Sequence, residues 1–144
     1  MNSALAQPWE APDMATVRQL MQEVIGQLFD RVSETRAALV STADGMPLVS
    51  RFDTETDNNR VSAIFSSLLA VCETASKEIN AGACQRAVVC ADHANIVMVR
   101  IHLKGRVFTL ALAFDADLML GTALRTTTDL AQRIEQALAV AMPA

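Results

Sequence analysis

The sequence lacks the glycine-rich motifs that bind nucleotides. Its five glycines all stand alone, so neither GxxxxGK(S/T) nor GxGxxG is present. Nucleophilic catalysis has no signature either, since there is no GxSxG motif and the two histidines, His93 and His102, have no recognisable partner pattern. We therefore expect no enzyme activity and no cofactor.

Charged residues and long apolar runs are also scarce. Only 19% of the residues are charged, and the twelve lysines and arginines are scattered, which argues against a nucleic-acid partner. No apolar run approaches the roughly 20 residues of a membrane span, and the first residues lack the features of a signal peptide. We expect a cytoplasmic protein with no membrane span. Because 51% of its 144 residues are hydrophobic, a monomer would have difficulty burying them all.

The three cysteines, Cys72, Cys84 and Cys90, form no CxxC pair. Their odd number suits a reducing compartment better than a disulfide framework. If Cys84 and Cys90 share a strand, they stand roughly 20 Å apart, which is too far for a disulfide. We expect Cys72 and Cys90 to be buried and not reactive.

Two acidic stretches raise the question of a metal site. In "DHAN", Asp92 and His93 stand between two predicted strands, where such residues usually serve the turn conformation. In "DTETDNN", alternating acids begin like a calcium loop, but the glycine at the sixth position and the distal glutamate are absent. We expect no metal, and we interpret the second stretch as a solvated loop that caps the next helix.

Apolar spacing predicts a first and a last helix. The first begins at Asp13, a plausible N-cap, and continues to Val32. Residues 1–12, which include Trp9, are predicted to be a flexible arm, and residues 13–144 the single domain. The last helix covers residues 118–142, with a bend or restart at Thr126, Thr127 and Thr128 because threonine lowers helix propensity.

The middle helix, residues 59–80, has an unusual composition. It carries no charge between Val61 and Cys72, and its polar residues there are small serines. A helix without a polar face must be covered on two sides. In a chain of this length, we expect the second cover to be a second copy of the chain.

Five strands complete the pattern. A hairpin pairs residues 36–42 with residues 47–52 around Asp44 and Gly45, and Pro47 restricts its strand to a start or an edge position. Residues 84–91, 96–104 and 106–114 follow with short connections. Even the face of the last strand that carries the smaller side chains is mostly apolar. This suggests that helices cover both sides of the sheet. The order α-β-β-α-β-β-β-α predicts an α+β fold with a five-stranded antiparallel sheet.

This order, together with particular stretches of sequence, resembles the Roadblock/dynein-light-chain family. The stretches are "ALVSTADGMPLVSR", the serine- and alanine-rich middle helix, "RAVVCADHANIVMVRI" and "FTLALAFDADLMLGTALR". The resemblance implies a homodimer in which third strands pair across a two-fold axis, so that the sheet continues through both copies, and in which middle helices pack side by side. It also implies a regulator or scaffold for Ras-like small GTPases and no catalytic residue.

The resemblance assigns roles to residues of the middle helix and the third strand. The expected dimer interface contains Ile64, Phe65, Leu68, Val71, Cys72, Arg86, Val88 and Cys90. The expected partner-binding residues are Arg60, Ser67, Glu73 and Lys77. The leading hypothesis is a non-catalytic dimeric regulator that positions the GTPase's own catalytic groups. The alternative is a structural adaptor with no effect on nucleotide turnover, favoured by Trp9 and the apolar tail "ALAVAMPA".

Overall fold

The computed structural model describes the chain from residue 11 to residue 141, with side chains from residue 14 onward. Its elements in chain order are α1 (Ala11–Arg31), β1 (Thr35–Thr42), β2 (Pro47–Phe52), α2 (Asn58–Glu78), β3 (Arg86–Cys90), β4 (Ala94–Leu103), β5 (Arg106–Asp115) and α3 (Leu120–Ala141). The predicted element order is confirmed.

The five strands form one antiparallel sheet in the order β2-β1-β5-β4-β3. β5 is the central strand, and β2 and β3 are the two edges. The predicted α+β class is therefore confirmed, and Pro47 begins an edge strand as its missing N–H requires.

Helices cover both faces of this sheet. The larger side chains of β5, such as Phe108 and Leu112, point toward α1 and α3 and form the main core. On the opposite face, Ala111 of β5 packs with Leu39 and Met98 beneath α2. The apolar character of both faces of β5 correctly predicted this arrangement.

Helix α1 begins two residues earlier than predicted. Asp13 lies within the first turn and is not the N-cap, so that assignment is wrong. Pro12 explains the difference, because proline has no N–H to lose and a φ suited to the first turn of a helix. The rest of the predicted arm, residues 1–10, lies outside the described residues.

Helix α3 is continuous where a restart was predicted. The hydroxyl of Thr127 donates to the carbonyl of Ala123 at 2.8 Å, one turn earlier in the helix. This bond satisfies a fully buried hydroxyl within the helix, so the threonines do not interrupt it.

Strand β3 is shorter than predicted because Cys84 is held away from β4. The N–H of Cys84 donates to the carboxylate of Glu73, and its carbonyl accepts from Nη1 of Arg100. All three cysteines are free thiols, but Cys90 is exposed on the edge strand and Cys72 is only partly buried. The expected burial of Cys90 is therefore wrong for the single chain.

Gly45 in the β1–β2 turn provides a test of local packing. Its φ is +95°, and an added Cβ would lie 3.3 Å from the Cα of Ala63 in α2. We predict that Gly45→Ala lowers the free energy of unfolding by about 1–3 kcal/mol, as measured by urea denaturation.

The matched control for this substitution is Gly26→Ala. Gly26 lies within α1, and an added Cβ there meets no atom within 4 Å. It should raise the free energy of unfolding by about 0.5–1 kcal/mol, because alanine favours the helix. Equal effects at the two sites would contradict the packing assigned to the turn.

Candidate functional site

Helix α2 presents a face without charge to the outside of the chain. Ile64 and Val71 are its large residues, with 51% and 63% of their surface exposed. A shallow groove of about 350 Å³ runs beside Val71. The exposed residues of this face, called the α2 outer face below, are Ala63, Ile64, Ser67, Ala70, Val71, Thr74 and Ala75.

The opposite side of α2 packs on the sheet of the same chain. Phe65 and Leu68 contact the cluster beneath α2, and Leu69 is fully buried. Of the residues predicted for a dimer interface, Ile64 and Val71 thus lie on the outer face, whereas Phe65 and Leu68 face inward. Periodicity could not separate the two sides because both are apolar.

The edge of β3 that does not pair with β4 is open within the described part of the chain. Arg86, Val88 and Cys90 are exposed along this strand, and Val88 retains 37% of its surface. The strand has no proline, and its pairing with β4 has no register shift. A proline and a register shift are two features that usually keep an edge strand from pairing with another chain, and β3 has neither.

The other edge, β2, has such protection. It begins with Pro47, and its register with β1 shifts after Val40. In addition, Nε of Arg18 in α1 donates to the carbonyl of Leu48 at 3.0 Å. The β2 edge therefore carries features that prevent pairing with another strand, whereas the β3 edge lacks a proline and a register shift.

Glu73 connects the end of α2 to the start of β3. Its carboxylate accepts the N–H of Cys84 and lies 3.8 Å from Nη1 of Arg100 and 3.7 Å from Nζ of Lys77. The Cys84 N–H bond, followed by the positive charges of Arg100 and Lys77, holds the pKa of Glu73 below its ordinary value. Glu73, predicted to bind a partner, is thus engaged within its own chain.

The other predicted partner-binding residues lie on exposed parts of α2. Arg60 is in the first turn, where its N–H donates to the capping carboxylate of Asp57 at 3.2 Å. Ser67 is on the outer face, and Lys77 is in the last turn with 66% of its side chain exposed. The predicted cap from the acidic loop is confirmed at Asp57.

Arg36 joins two loops and the end of β5 at one end of the sheet, and sequence reasoning missed it. Its Nε lies 3.0 Å from Oδ2 of Asp53 and 3.7 Å from Oδ1 of Asp115, and its Nη1 donates to the carbonyl of His93 at 2.9 Å. These partners come from distant parts of the chain, so no local pattern could have revealed the contact. Arg36 fixes the turn that follows β3.

Two kinds of site are absent from residues 11–141. This part of the chain has no group of three or more histidine, cysteine or acidic residues placed to hold a metal ion. It also contains no helix that is both long enough and apolar enough to cross a membrane.

The fold and these surfaces define a class of small α+β domain. One antiparallel sheet lies between α2 on one face and α1 with α3 on the other, with β3 as an open edge strand and an uncharged outer face on α2. The model of the Roadblock/LC7 domain family matches residues 21–105, which is more than half of the chain. The chain belongs to this family, as the sequence resemblance predicted.

Solved structures with the same fold include two MglB proteins. MglB from Myxococcus xanthus is 11% identical, with a TM-score of 0.71 over 94% of this chain and 96% of that one. The gliding protein MglB from Thermus thermophilus is 15% identical, with a TM-score of 0.71 over 84% and 92%.

A third structure comes from a different bacterium. The Roadblock/LC7 domain from Streptomyces avermitilis is 17% identical, with a TM-score of 0.67 over 84% of this chain and 96% of that one. At these identities, the likeness establishes a shared fold. No curated protein sequence matches the chain.

The position of Glu73 predicts a specific dependence of stability on pH. A carboxylate with a lowered pKa stabilises the folded chain above its ordinary value of 4.5, and this contribution disappears as pH falls through the lowered pKa. Glu73→Gln should therefore destabilise the protein at neutral pH, and its difference from the native protein should shrink in acid. Urea denaturation at a series of pH values measures this difference.

Glu78→Gln is the matched control, because Glu78 is exposed in the last turn of the same helix. We expect it to change the free energy of unfolding little at any pH. If Glu73→Gln changed the free energy of unfolding by the same amount at every pH, the stabilising role assigned to the charged Glu73 carboxylate would be contradicted.

Proposed function

We propose that this chain is a non-catalytic, homodimeric regulator of a Ras-like small GTPase in the cytoplasm. The observation that carries the proposal is that one chain exposes both an uncharged α2 outer face and the open edge of β3. Membership of the Roadblock/LC7 family and the fold shared with MglB, described for one species as a gliding protein, support it.

A second copy accounts for both exposed features at once. A two-fold axis perpendicular to the sheet pairs the β3 edges antiparallel and sets the two α2 helices side by side on the same face of the joined sheet. Small residues such as Ala63, Ser67 and Ala70 allow the helix backbones to approach closely. Burying the exposed part of Ile64 and Val71 would contribute about 1–2 kcal/mol for each side chain, and the symmetry doubles the gain.

The GTPase would then contact the polar ends of the paired helices. Arg60 and Lys77 are exposed at opposite ends of α2, outside the uncharged segment. A polar rim around an apolar centre is typical of protein interfaces. With Glu73 engaged by Cys84 and Arg100, we assign the partner contacts mainly to Arg60 and Lys77.

The proposed mechanism is regulation by positioning. The dimer binds the GTPase and orients the GTPase's own catalytic groups, so it contributes a surface and no reacting group. The direct test mixes the purified chain with Ras-like GTPases of the same organism, loaded with GDP or a non-hydrolysable GTP analogue. We expect a complex that depends on the nucleotide and a changed rate of GTP hydrolysis.

The same experiment separates the alternative function. Binding without any change in hydrolysis would favour a structural adaptor. Val140, which belongs to the apolar tail and lies near the end of α3, is 81% exposed and supports that alternative as an apolar side chain open to a partner. Absence of binding in every nucleotide state would contradict the regulator.

The dimer has its own test in Val71→Arg. The substitution places an unpaired charge between the paired α2 helices, and burying such a charge costs several kcal/mol. We expect the dimer dissociation constant to rise by at least about a hundredfold, as measured by sedimentation equilibrium.

Val140→Arg is the matched control, because it makes the same change at an exposed valine on another helix. It should leave the dissociation constant unchanged. A dimer that tolerates Val71→Arg, or a native protein that is monomeric at all concentrations, would contradict the proposed interface. Leu68→Arg is unsuitable here, because Leu68 packs in the core of its own chain.

A further inference from the structure

Two opposite charges flank β3 and have no ion-pair partner among residues 11–141. Arg86 is the first residue of the strand, and Asp92 lies in the turn that follows it. Both are exposed, and the ion pairs of the described chain involve neither. The edge strand therefore has a positive start and a negative end.

Hydrogen bonds hold the Arg86 side chain and the turn that carries Asp92. Nη1 of Arg86 donates to the hydroxyl of Thr128 in α3 at 3.1 Å. The carbonyl of His93, next to Asp92, accepts from Arg36 at 2.9 Å and from the N–H of Ala116 at 3.3 Å. A contact between such fixed groups loses less conformational entropy than one between mobile side chains.

Arg86 lines a cleft of about 310 Å³ at the corner of the sheet where β4 extends beyond β3. This cleft is called the edge cleft below. β3 begins opposite Val99, so β4 continues past it without a strand beside it. There, the N–H of His102 donates to the carboxylate of Glu135 at 2.9 Å, and Arg100 lies beside Glu73. The acids of the edge cleft are thus engaged, whereas Arg86 bonds only a neutral hydroxyl.

Antiparallel pairing of two β3 edges brings the two unpartnered charges together. An axis at Val89 places Arg86 beside the partner's turn that carries Asp92, two residues past the end of β3. An axis at Val88 places Arg86 opposite the partner's Cys90, one diagonal step from the partner's Asp92. Direct and diagonal cross-strand neighbours are about 5 Å and 7–8 Å apart, both within reach of an arginine side chain.

We propose that Arg86 forms an ion pair with the partner's Asp92 and that the partner's turn closes the edge cleft. This inference rests on the proposed homodimer and names the residues that set its orientation. Two such pairs form in each symmetric dimer. They favour antiparallel over parallel pairing of the edges, because parallel pairing would bring the two Arg86 side chains together and likewise the two Asp92 side chains.

The test uses two charge reversals, Arg86→Glu and Asp92→Arg. Each variant alone would form a dimer with two like-charged contacts, whereas a mixed dimer restores both opposite-charged contacts. Native mass spectrometry distinguishes the two chains by mass. After mixing, we expect the mixed dimer to exceed its statistical proportion by about tenfold in equilibrium constant, with a smaller excess at high salt.

Lys104→Glu and Asp117→Arg form the matched control pair. Both residues are exposed and charged at corresponding ends of the sheet, but they lie in the β4–β5 turn and before α3, away from the β3 edge. Their mixture should stay statistical, and an equal excess there would overturn the specific contact.

The outcomes separate this inference from the proposed function. A native dimer whose charge-reversed chains mix statistically would overturn the ion pair and leave the homodimer standing. A native protein that is monomeric throughout would overturn both.

Discussion

β5 is packed on both of its faces, and the arrangement of the helices depends on this double packing. Its large side chains, such as Phe108, fill the core under α1 and α3, while Ala111 leaves room for α2 to lie close to the other face. One helix is enough to cover that face, and the chain has no further described element to cover the helix. The α2 outer face is left bare for this reason.

Glu73 connects α2 to the segment that leads into β3. Its carboxylate binds the backbone of Cys84 at the entrance to β3 and lies beside Arg100 of β4. At the other end of the strand, Arg36 holds the turn that carries Asp92. The start of β3 is thus held to α2 and the turn after it to β1, which suits a surface that must match a second copy in shape and charge.

The sequence predicted the parts of the fold that depend on local pattern. The alternation of side chains along β4 and β5, the turn at Gly45 and the cap at Asp57 all depend on residues that are close in sequence. It could not predict which side of α2 faces the sheet, because Phe65 and Val71 are equally apolar. It also could not predict that Glu73, Cys84 and Arg100 meet, or that Arg36 reaches His93, since these contacts join separate elements. The start of α1 differed because Pro12 favours the first turn.

The central claim is that β3 and α2 together form the interface between two copies. Amide hydrogen exchange at increasing protein concentration tests it most directly, because the exchange rates of β2 and β3 amides are measured separately. The account predicts that amides of β3 that do not bond to β4 become protected as the concentration rises, together with α2, while the outer amides of β2 do not change. β3 amides that exchange equally fast at every concentration would contradict it.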